Sequence, residues 1–413
     1  MPIIINDPVH GFIELPDGML SQLARHRVLF RLSRIHQLGP TSYVYPGGRH
    51  TRFEHSIGAY HLAHLAVESL RSKGIHIGSE DAEAVEAAML LHDIGHGPMS
   101  HALEGLFAEG ISHEDITLLL TERLNAEMGG RLSMALSILR REHPLEYLNE
   151  LVQSQLDMDR IDYLCRDSFF TGVREGSIGA ARIIKMLHVA QDRLMVEWKG
   201  IYTIENYLMA RRLMYWQVYL HKTAVAAQEL LCMAVRRARQ LAHQGRKVPA
   251  SPALSYFLGQ RVDRTHMQNH PEWLDNFVAL DDNDLECALK QWMSHEDKTL
   301  SLLAKNYVRR NLYKVAETAL PVPPDALQAM RRHMGRALGI GEEEAAYFVR
   351  THQVRQTLYS SKDDHIFILQ KDGSVRDISE LSELLSSELV DKVCSRNFLF
   401  YQRDVEGFQP FLT

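Results

Sequence analysis

Cysteine is scarce in this sequence, with four residues among 413, and no two of them form a CxxC pair. This scarcity argues against a disulfide scaffold and predicts a reduced, cytoplasmic setting. No apolar run reaches the roughly 18 residues that span a bilayer, since charged residues interrupt the best candidate, 208–235. The first residues also lack the basic and apolar regions of a signal peptide. We therefore expect no membrane association.

An excess of basic charge is absent as well. The chain has 46 Lys and Arg against 52 Asp and Glu, for a net charge of −6. A general nucleic-acid or anionic-membrane binder needs clustered cations, so neither is expected, although a small basic pocket stays possible. Hydrophobic residues make up 45% and charged residues 24%, which is ordinary for a globular protein. There is no internal repeat and no low-complexity tract.

Helical spacing dominates the chain and predicts a mainly α fold. The predicted helices cover 53–72, 80–93, a stretch from Ser100, 113–127, 131–140, 144–158, 202–240 and the region 254–345. Predicted strands are Ile3–Ile5, Arg193–Glu197 and a hairpin near 366–378, where Asp372-Gly373 supplies the turn. A polar connection at 243–253 divides a first unit, 1–240, from a helical C-terminal region, 241–413. Four aromatic residues are predicted core anchors in that region: Trp273, Phe277, Trp292 and Tyr307.

Histidine is the unusual abundance. The chain has 22, and twelve of them lie from His10 to His113. The pair His92-Asp93 follows an apolar run at the end of a predicted helix, where polar groups need partners or a metal to offset desolvation. Gly95 and Gly97 then allow a close approach of the backbone.

An ion held by this pair needs ligands from other helices, and His55 and Asp159 are the candidates. Two His and two Asp form a mixed nitrogen and oxygen set that suits one divalent ion such as Mn, Mg, Fe, Ni or Zn. His61, His64, His76 and the ten histidines after His113 are interpreted as ordinary core or surface residues.

These residues resemble a known family, the HD-domain metal-dependent phosphohydrolases, whose signature is H…HD…D. The resemblance extends to the branch of bacterial dNTP triphosphohydrolases and the vertebrate sterile-alpha-motif/HD dNTPase, and it covers about 1–235. The supporting motifs are Asn6-Asp7-Pro8-Val9-His10-Gly11, Gln37-Leu38-Gly39, Arg52-Phe53-Glu54-His55-Ser56, His92–His101 and Asp157–Asp167.

The resemblance implies an HD-domain helical bundle that cleaves deoxynucleoside triphosphates to deoxynucleoside and tripolyphosphate. It implies metal ligation by His55, His92, Asp93 and Asp159, and a phosphate end lined by His96, His101, Glu104 and His113. Arg52, Arg160 and Tyr163 would touch phosphate oxygens. Gln37, Leu38, Asp167 and Arg211 would lie by the sugar and the triphosphate tail.

This chemistry is sound for a substrate that carries close to four negative charges. Arg52 and Arg160 supply cations, and a metal lowers the pKa of bound water toward about 7. The leaving oxygen needs a proton, for which His101 or His113 is suited, with Glu104 orienting either ring.

Nearby residues receive simpler interpretations. Asp162 is predicted to be a structural ion-pair partner, and Asp157 is left open. Trp216 and Tyr219 are predicted to be core residues, and His221-Lys222 a surface pair.

The family also implies a homo-oligomer, a dimer or tetramer, and an activating nucleotide at a subunit interface. Arg25 and Ser33 stand where the vertebrate relative has residues for an activating guanine nucleotide, so a guanine-specific site is not expected. The alternatives are a phosphohydrolase for another nucleotide (a monophosphate, cyclic nucleotide or alarmone) and a nucleotide-sensing regulator with little turnover.

Overall fold

The computed structural model describes residues 1–357, 359, 365–384, 393–405, 407, 408 and 410. Within them the chain is mainly α-helical, as predicted. The helices are α1 Met19–Arg25, α2 Arg27–Phe30, α3 Arg52–Ser72, α4 Ser79–Leu91, α5 His113–Glu127, α6 Ser133–Leu139, α7 Glu146–Val152, α8 Met158–Thr171, α9 Ala180–Met186, α10 Ile201–Met214, α11 Lys222–His243, α12 Pro252–Gly259, α13 Arg264–Asn269, α14 Glu272–Ala279, α15 Asp282–Trp292, α16 Lys298–Val308, α17 Pro324–Leu338, α18 Glu342–Ala345 and α19 Ile378–Leu381.

Three small sheets accompany the helices. The strands are β1 Ile3–Asp7, β2 Gly11–Leu15, β3 Leu187–Ala190, β4 Arg193–Glu197, β5 Lys314–Thr318, β6 Val349–Thr357, β7 Phe367–Leu369, β8 Val375–Asp377 and β9 Val393–Tyr401. Strands β1 and β2 form an antiparallel hairpin. The predicted C-terminal hairpin, β7–β8, joins β3 and β4 in a four-stranded sheet through a parallel β4–β7 pair. The third sheet has the order β5-β9-β6.

The bundle that carries the histidine motifs is built on α3, which packs against both α4 and α8. Local sequence sets where these helices begin. Thr51 and Glu54 form a capping box at the start of α3, and Asp157 caps α8 by accepting a hydrogen bond from the Arg160 amide. These caps place His55 and Asp159 in the first turns of their helices.

The interior of the bundle is apolar, and the C-terminal region has a comparable interior. All four predicted aromatic anchors are buried, and Trp292 is fully enclosed. Helix α11 packs against α16 across the predicted connection at 243–253. The division into 1–240 and 241–413 stays a prediction.

Four predicted helices differ in the structure. The one from Ser100 is only a 3₁₀ turn, Ser100–Leu103, because Met99 and Ser100 have φ of 57° and 54°. The predicted helix 144–158 ends at Val152, since Gln153 is extended, and α8 starts anew after Asp157.

The other two are interrupted. The predicted helix 202–240 is broken by a π-helical turn, Tyr215–Tyr219, after which His221 caps α11. The helical stretch 254–345 contains strand β5.

None of the helices in the described part of the chain combines the length and apolar character of a bilayer-spanning segment.

Candidate metal centre and substrate cavity

Three helices bring the histidine motifs to one point. His55 lies in the first turn of α3, His92 directly follows α4, and Asp159 lies in the first turn of α8. The Nε2 atoms of His55 and His92 are 3.2 Å apart. Asp159 Oδ1 is 3.0 Å from Nε2 of His55 and 3.6 Å from Nε2 of His92.

The donor atoms of this triplet all lie within 4.8 Å of one another. Two imidazole nitrogens and a carboxylate oxygen are suitable ligands for a divalent first-row metal or Mg²⁺, so the residues fit such an ion. Asp93, the fourth predicted ligand, lies beside the triplet, with Oδ1 3.5 Å from His92 Nε2. Its Oδ2 accepts a hydrogen bond from Arg52 at 2.5 Å.

Each imidazole is oriented by a contact at its Nδ1 atom, on the side of the ring away from Asp159. His55 Nδ1 is 2.7 Å from Asp162 Oδ2, and His92 Nδ1 is 2.7 Å from the carbonyl oxygen of Met89. These partners hold both rings with Nε2 facing Asp159, so that Nε2 would be the ligand atom if an ion were bound. Histidines that bind metals in proteins are held in this manner.

Asp162 is also the centre of a buried ion-pair network. It accepts two hydrogen bonds from Arg166, at 2.9 and 3.0 Å, and lies 2.6 Å from Nε2 of His10. Arg166 in turn donates to Asp7, the last residue of β1. The ion-pair role predicted for Asp162 is present, and this residue additionally orients His55. The sequence signal for that second role is the i, i+3 spacing of Asp159 and Asp162 on α8.

The electrostatics of the triplet follow from burial and from these contacts. Burial alone would lower the pKa of His55, but the hydrogen bonds to Asp159 and Asp162 raise it to about 10. Burial would raise the pKa of Asp159, and its hydrogen bonds to His55 and His92 instead hold that pKa far below the ordinary range. The negative charge of Asp159 is therefore strongly stabilised.

A second pair of histidines stacks beside the triplet. The rings of His96 and His113 lie 3.9 Å apart and nearly parallel. Burial and the neighbouring Arg52 lower the pKa of His96 well below 6.5. For His113 the effect of burial is outweighed by the Glu104 carboxylate, which lies 2.7 Å from Nδ1, and the pKa is raised. The two rings thus favour different protonation states, as acid and base groups in active sites do.

The remaining predicted catalytic residues lie at this end. Glu104 contacts His113 and lines a small pocket next to the main cavity. His101 belongs to the turn Ser100–Leu103, and its side chain is outside the described part of the structure.

Asp159 of the triplet lines a cavity of about 560 Å³, a volume typical of small-molecule sites. All the residues predicted to contact substrate line it: Gln37, Leu38, Arg52, Arg160, Tyr163, Asp167 and Arg211. Asp93, Asp159, His96 and His113 complete the metal end.

Three arginines place positive charge in the cavity beside its aspartates, and each is held by hydrogen bonds to other groups of the protein. Arg52 Nε donates to Ser100 Oγ at 2.8 Å. Arg160 donates to the Ser154 carbonyl at 2.7 Å and to Asp157, which therefore has a supporting role. Arg211 donates to the Gln155 side chain at 2.7 Å. Guanidinium groups fixed in this way are suited to phosphate oxygens.

The π-helical turn contributes to the cavity wall beside Asp167. Tyr215 and Tyr219 line it, and the Tyr219 hydroxyl donates to Asp167 at 2.6 Å. Tyr219 packs against the hydrophobic core, as predicted, and in addition lines the cavity. Arg211, Tyr215 and Tyr219 recur every four residues, and this helical spacing is the signal that could have identified them.

Trp216 lies outside this lining and stacks under Arg396. Other lining residues that sequence reasoning missed are Thr41, Met99, Ser100, Ala102, Leu220 and Gln228.

Comparisons with known proteins agree with this geometry. Residues 52–167 match the HD domain, and residues 178–248 match the HD associated region. The crystal structure of a phosphohydrolase from Bacteroides thetaiotaomicron superposes with a TM-score of 0.95 at 52% identity, covering 98% of this chain and 100% of that one.

Two curated relatives extend the comparison. An uncharacterised protein of Bacillus subtilis is 28% identical over 97% of this chain and 92% of its own length. A protein of Dictyostelium discoideum named deoxynucleoside triphosphate triphosphohydrolase SAMHD1 homolog is 29% identical over 57% of this chain and 49% of its own length. The motifs, the mainly helical fold and the match along a full-length solved structure lead to one conclusion: the chain belongs to the HD-domain phosphohydrolase superfamily.

Proposed function

We propose that the protein hydrolyses deoxynucleoside triphosphates to deoxynucleoside and tripolyphosphate. The observation that carries the proposal is one cavity lined both by Asp159, which lies beside the His55 and His92 donors, and by three fixed arginines. The three arginines are suited to bind the negatively charged triphosphate of such a substrate. Asp167 and Tyr219 provide polar and aromatic groups for its nucleoside.

The residues that would hold the metal are His55, His92 and Asp159, with Asp93 adjoining. When bound, a divalent ion such as Mn, Mg, Fe, Ni or Zn would supply Lewis-acid charge and lower the pKa of water toward about 7.

The arginines bind and orient the triphosphate. Their side chains are already held by Ser100, Asp157 and Gln155, so little conformational entropy is lost when they engage phosphate oxygens. The orientation of the reacting group is worth several kcal/mol in such reactions.

The protein would also supply one proton to the leaving group. Hydrolysis adds water to the α-phosphorus and breaks its bond to the 5′ oxygen, which must be protonated as it leaves. His113 is the donor supported by its environment, because Glu104 raises its pKa. His96, whose pKa is lowered, is the neutral neighbour that can accept a hydrogen bond.

The relatives support the triphosphate over other nucleotides, because several that match this chain are named deoxynucleoside triphosphate triphosphohydrolases. By the same resemblance we propose a homo-oligomer, a dimer or tetramer, with an activating nucleotide at a subunit interface. Size-exclusion chromatography with light scattering, with and without mixed dNTPs, tests that assembly.

The direct test offers each dNTP and NTP, singly and as mixtures, to protein loaded with Mn, Mg, Fe, Ni or Zn. Tripolyphosphate as the product supports the proposal. Orthophosphate released from monophosphates would indicate the alternative nucleotide substrates. Tight nucleotide binding without turnover would indicate a sensing protein.

A matched pair of variants links the activity to the metal residues. Asp93→Ala should abolish metal binding and hydrolysis while the circular dichroism spectrum stays helical. Glu83→Ala removes an exposed carboxylate from α4, the helix that precedes Asp93, and should leave both unchanged. Full activity of Asp93→Ala would refute the metal site.

A further inference from the structure

Asp282 reaches into the wall of the substrate cavity from the C-terminal region. It is the first residue of α15, and its carboxylate is buried. Its Oδ1 accepts a hydrogen bond from the Met99 amide at 2.6 Å. Its Oδ2 accepts two from His36, one from the amide at 2.8 Å and one from Nδ1 at 2.7 Å. A single carboxylate thus bridges two separate segments.

Both segments belong to the cavity. His36 precedes the lining residues Gln37 and Leu38, and Met99 precedes Ser100. The Ser100 hydroxyl donates to the His36 carbonyl at 2.8 Å and accepts from Arg52 Nε at 2.8 Å. A continuous chain of hydrogen bonds therefore runs from Asp282 through His36 and Ser100 to Arg52, which donates to Asp93.

The bridged loop has an unfavourable backbone. Met99 and Ser100 both have positive φ, which side-chain-bearing residues rarely adopt and which persists only where surrounding contacts enforce it. Gly39 packs closely against the same loop, since a Cβ at this position would lie 2.9 Å from the Met99 carbonyl oxygen. The Met99 amide is held in this conformation by Asp282.

The neighbours of Asp282 reinforce the contact. Arg31, fully buried, donates to the carbonyls of Ile94 and His96, at 3.0 and 2.6 Å, and to that of Leu280 at 3.4 Å. Arg34 donates to Asp281 at 2.5 Å. Residues 280–282 thus support the whole loop 94–100.

We infer that Asp282 is a positioning residue for the active site, and that the C-terminal region is an integral part of that site through it. It holds loop 94–100 and the Gln37 segment in the geometry that places Arg52 and His96. The inference rests on the proposed function only for the choice of substrate.

The test compares Asp282→Asn with Asp284→Asn. The asparagine keeps an acceptor for Met99 but presents an amide donor where His36 needs an acceptor. Asp284 lies on the same helix end and accepts from the Asp281 amide at 2.8 Å, without contacting the cavity. The control variant thus removes the same negative charge from the same end of α15.

Three measurements are made on the full chain. Hydrogen–deuterium exchange should rise in peptides covering 94–103 and 35–40 of Asp282→Asn, and stay unchanged near His55 and Asp159. With Mn²⁺ and an equal mixture of four dNTPs, kcat should fall about 10–100-fold while KM rises no more than about threefold. Bound manganese should be unchanged, since the ligands are oriented by Asp162 and Met89.

His36→Gln provides a second variant if Asp282→Asn does not fold, and it should show the same pattern with about a threefold loss of kcat. Unchanged exchange in both segments, or a kcat loss equal to that of Asp284→Asn, overturns the inference. If the wild-type chain hydrolyses no dNTP, the proposed function fails, and the exchange measurement alone decides the role of Asp282.

Discussion

The Nδ1 atom of His55 lies 2.7 Å from Oδ2 of Asp162, on the side of the ring opposite Asp159. This contact fixes which imidazole nitrogen faces the candidate metal position. The same carboxylate is hydrogen-bonded to Arg166 and His10. The orientation of His55, a candidate metal ligand, is therefore coupled to the N-terminal hairpin.

We therefore expect Asp162→Asn to weaken metal binding about 10–100-fold, because asparagine offers one uncharged acceptor oxygen in place of the two carboxylate oxygens that His55, His10 and Arg166 share. Titration calorimetry with Mn²⁺ measures the affinity, and circular dichroism checks the fold. Asp7→Asn is the control, since it removes another carboxylate from Arg166 and does not contact His55. Equal affinities in the two variants would disprove the orienting role.

Arg211→Ala should lower kcat/KM for a dNTP about 10–100-fold. The guanidinium lines the cavity, and a hydrogen bond between charged groups contributes about 1.5–3 kcal/mol, where about 1.4 kcal/mol is tenfold. Arg212→Ala is the natural comparison, because this neighbouring arginine is not part of the cavity lining. Steady-state kinetics on both variants gives the result, and a similar loss in both would contradict a role for Arg211 in phosphate binding.

The pair His36–Asp282 should make stability depend on pH. The hydrogen bond to Asp282 raises the pKa of His36 above its ordinary value of 6.5. The stabilisation is therefore fully present below about pH 6.5 and is lost as the pH rises through the higher, folded-state value.

Urea unfolding should show that His36→Gln costs more free energy at about pH 6 than at about pH 9. The exposed His76→Gln should show no such difference between the two conditions. A cost for His36→Gln that is larger at the higher pH would reverse the sign and refute the charged pair.

Gly58→Ala should destabilise the fold by about 1–3 kcal/mol through overpacking. A Cβ at this position of α3 would lie 2.1 Å from both Arg166 Nη2 and Asp162 Oδ1, which are buried and bonded to each other. Gly259→Ala is the control, because its Cβ would meet no atom within 4 Å. Equal unfolding free energies in urea would show that the network moves aside without cost.

Local patterns in the sequence were sufficient for much of the fold. The helices at 53–72 and 113–127 and the strand Arg193–Glu197 are present at or within one residue of the predicted bounds, because periodicity and capping act over a few neighbouring residues. The hairpin near 366–378 follows from its Asp-Gly turn in the same way. The mainly α class and the membership in the HD superfamily were likewise predicted correctly.

Such local patterns did not predict which strands pair when they lie far apart in the chain. Strand β9 pairs with both β5 and β6, and the backbone hydrogen bonds that define this sheet join segments far apart in the chain. The break at Tyr215–Tyr219 was also missed, since this segment contains no Gly or Pro that would mark the end of a helix.

The sequence by itself determined the residue types of the site, because His55, His92, Asp93 and Asp159 are recognisable by motif and spacing. Only the tertiary structure decided how they are held. The contact of Asp162 with His55 and that of Asp282 with Met99 join segments more than a hundred residues apart. Such contacts depend on the packing of whole helices, which no local pattern of residues records.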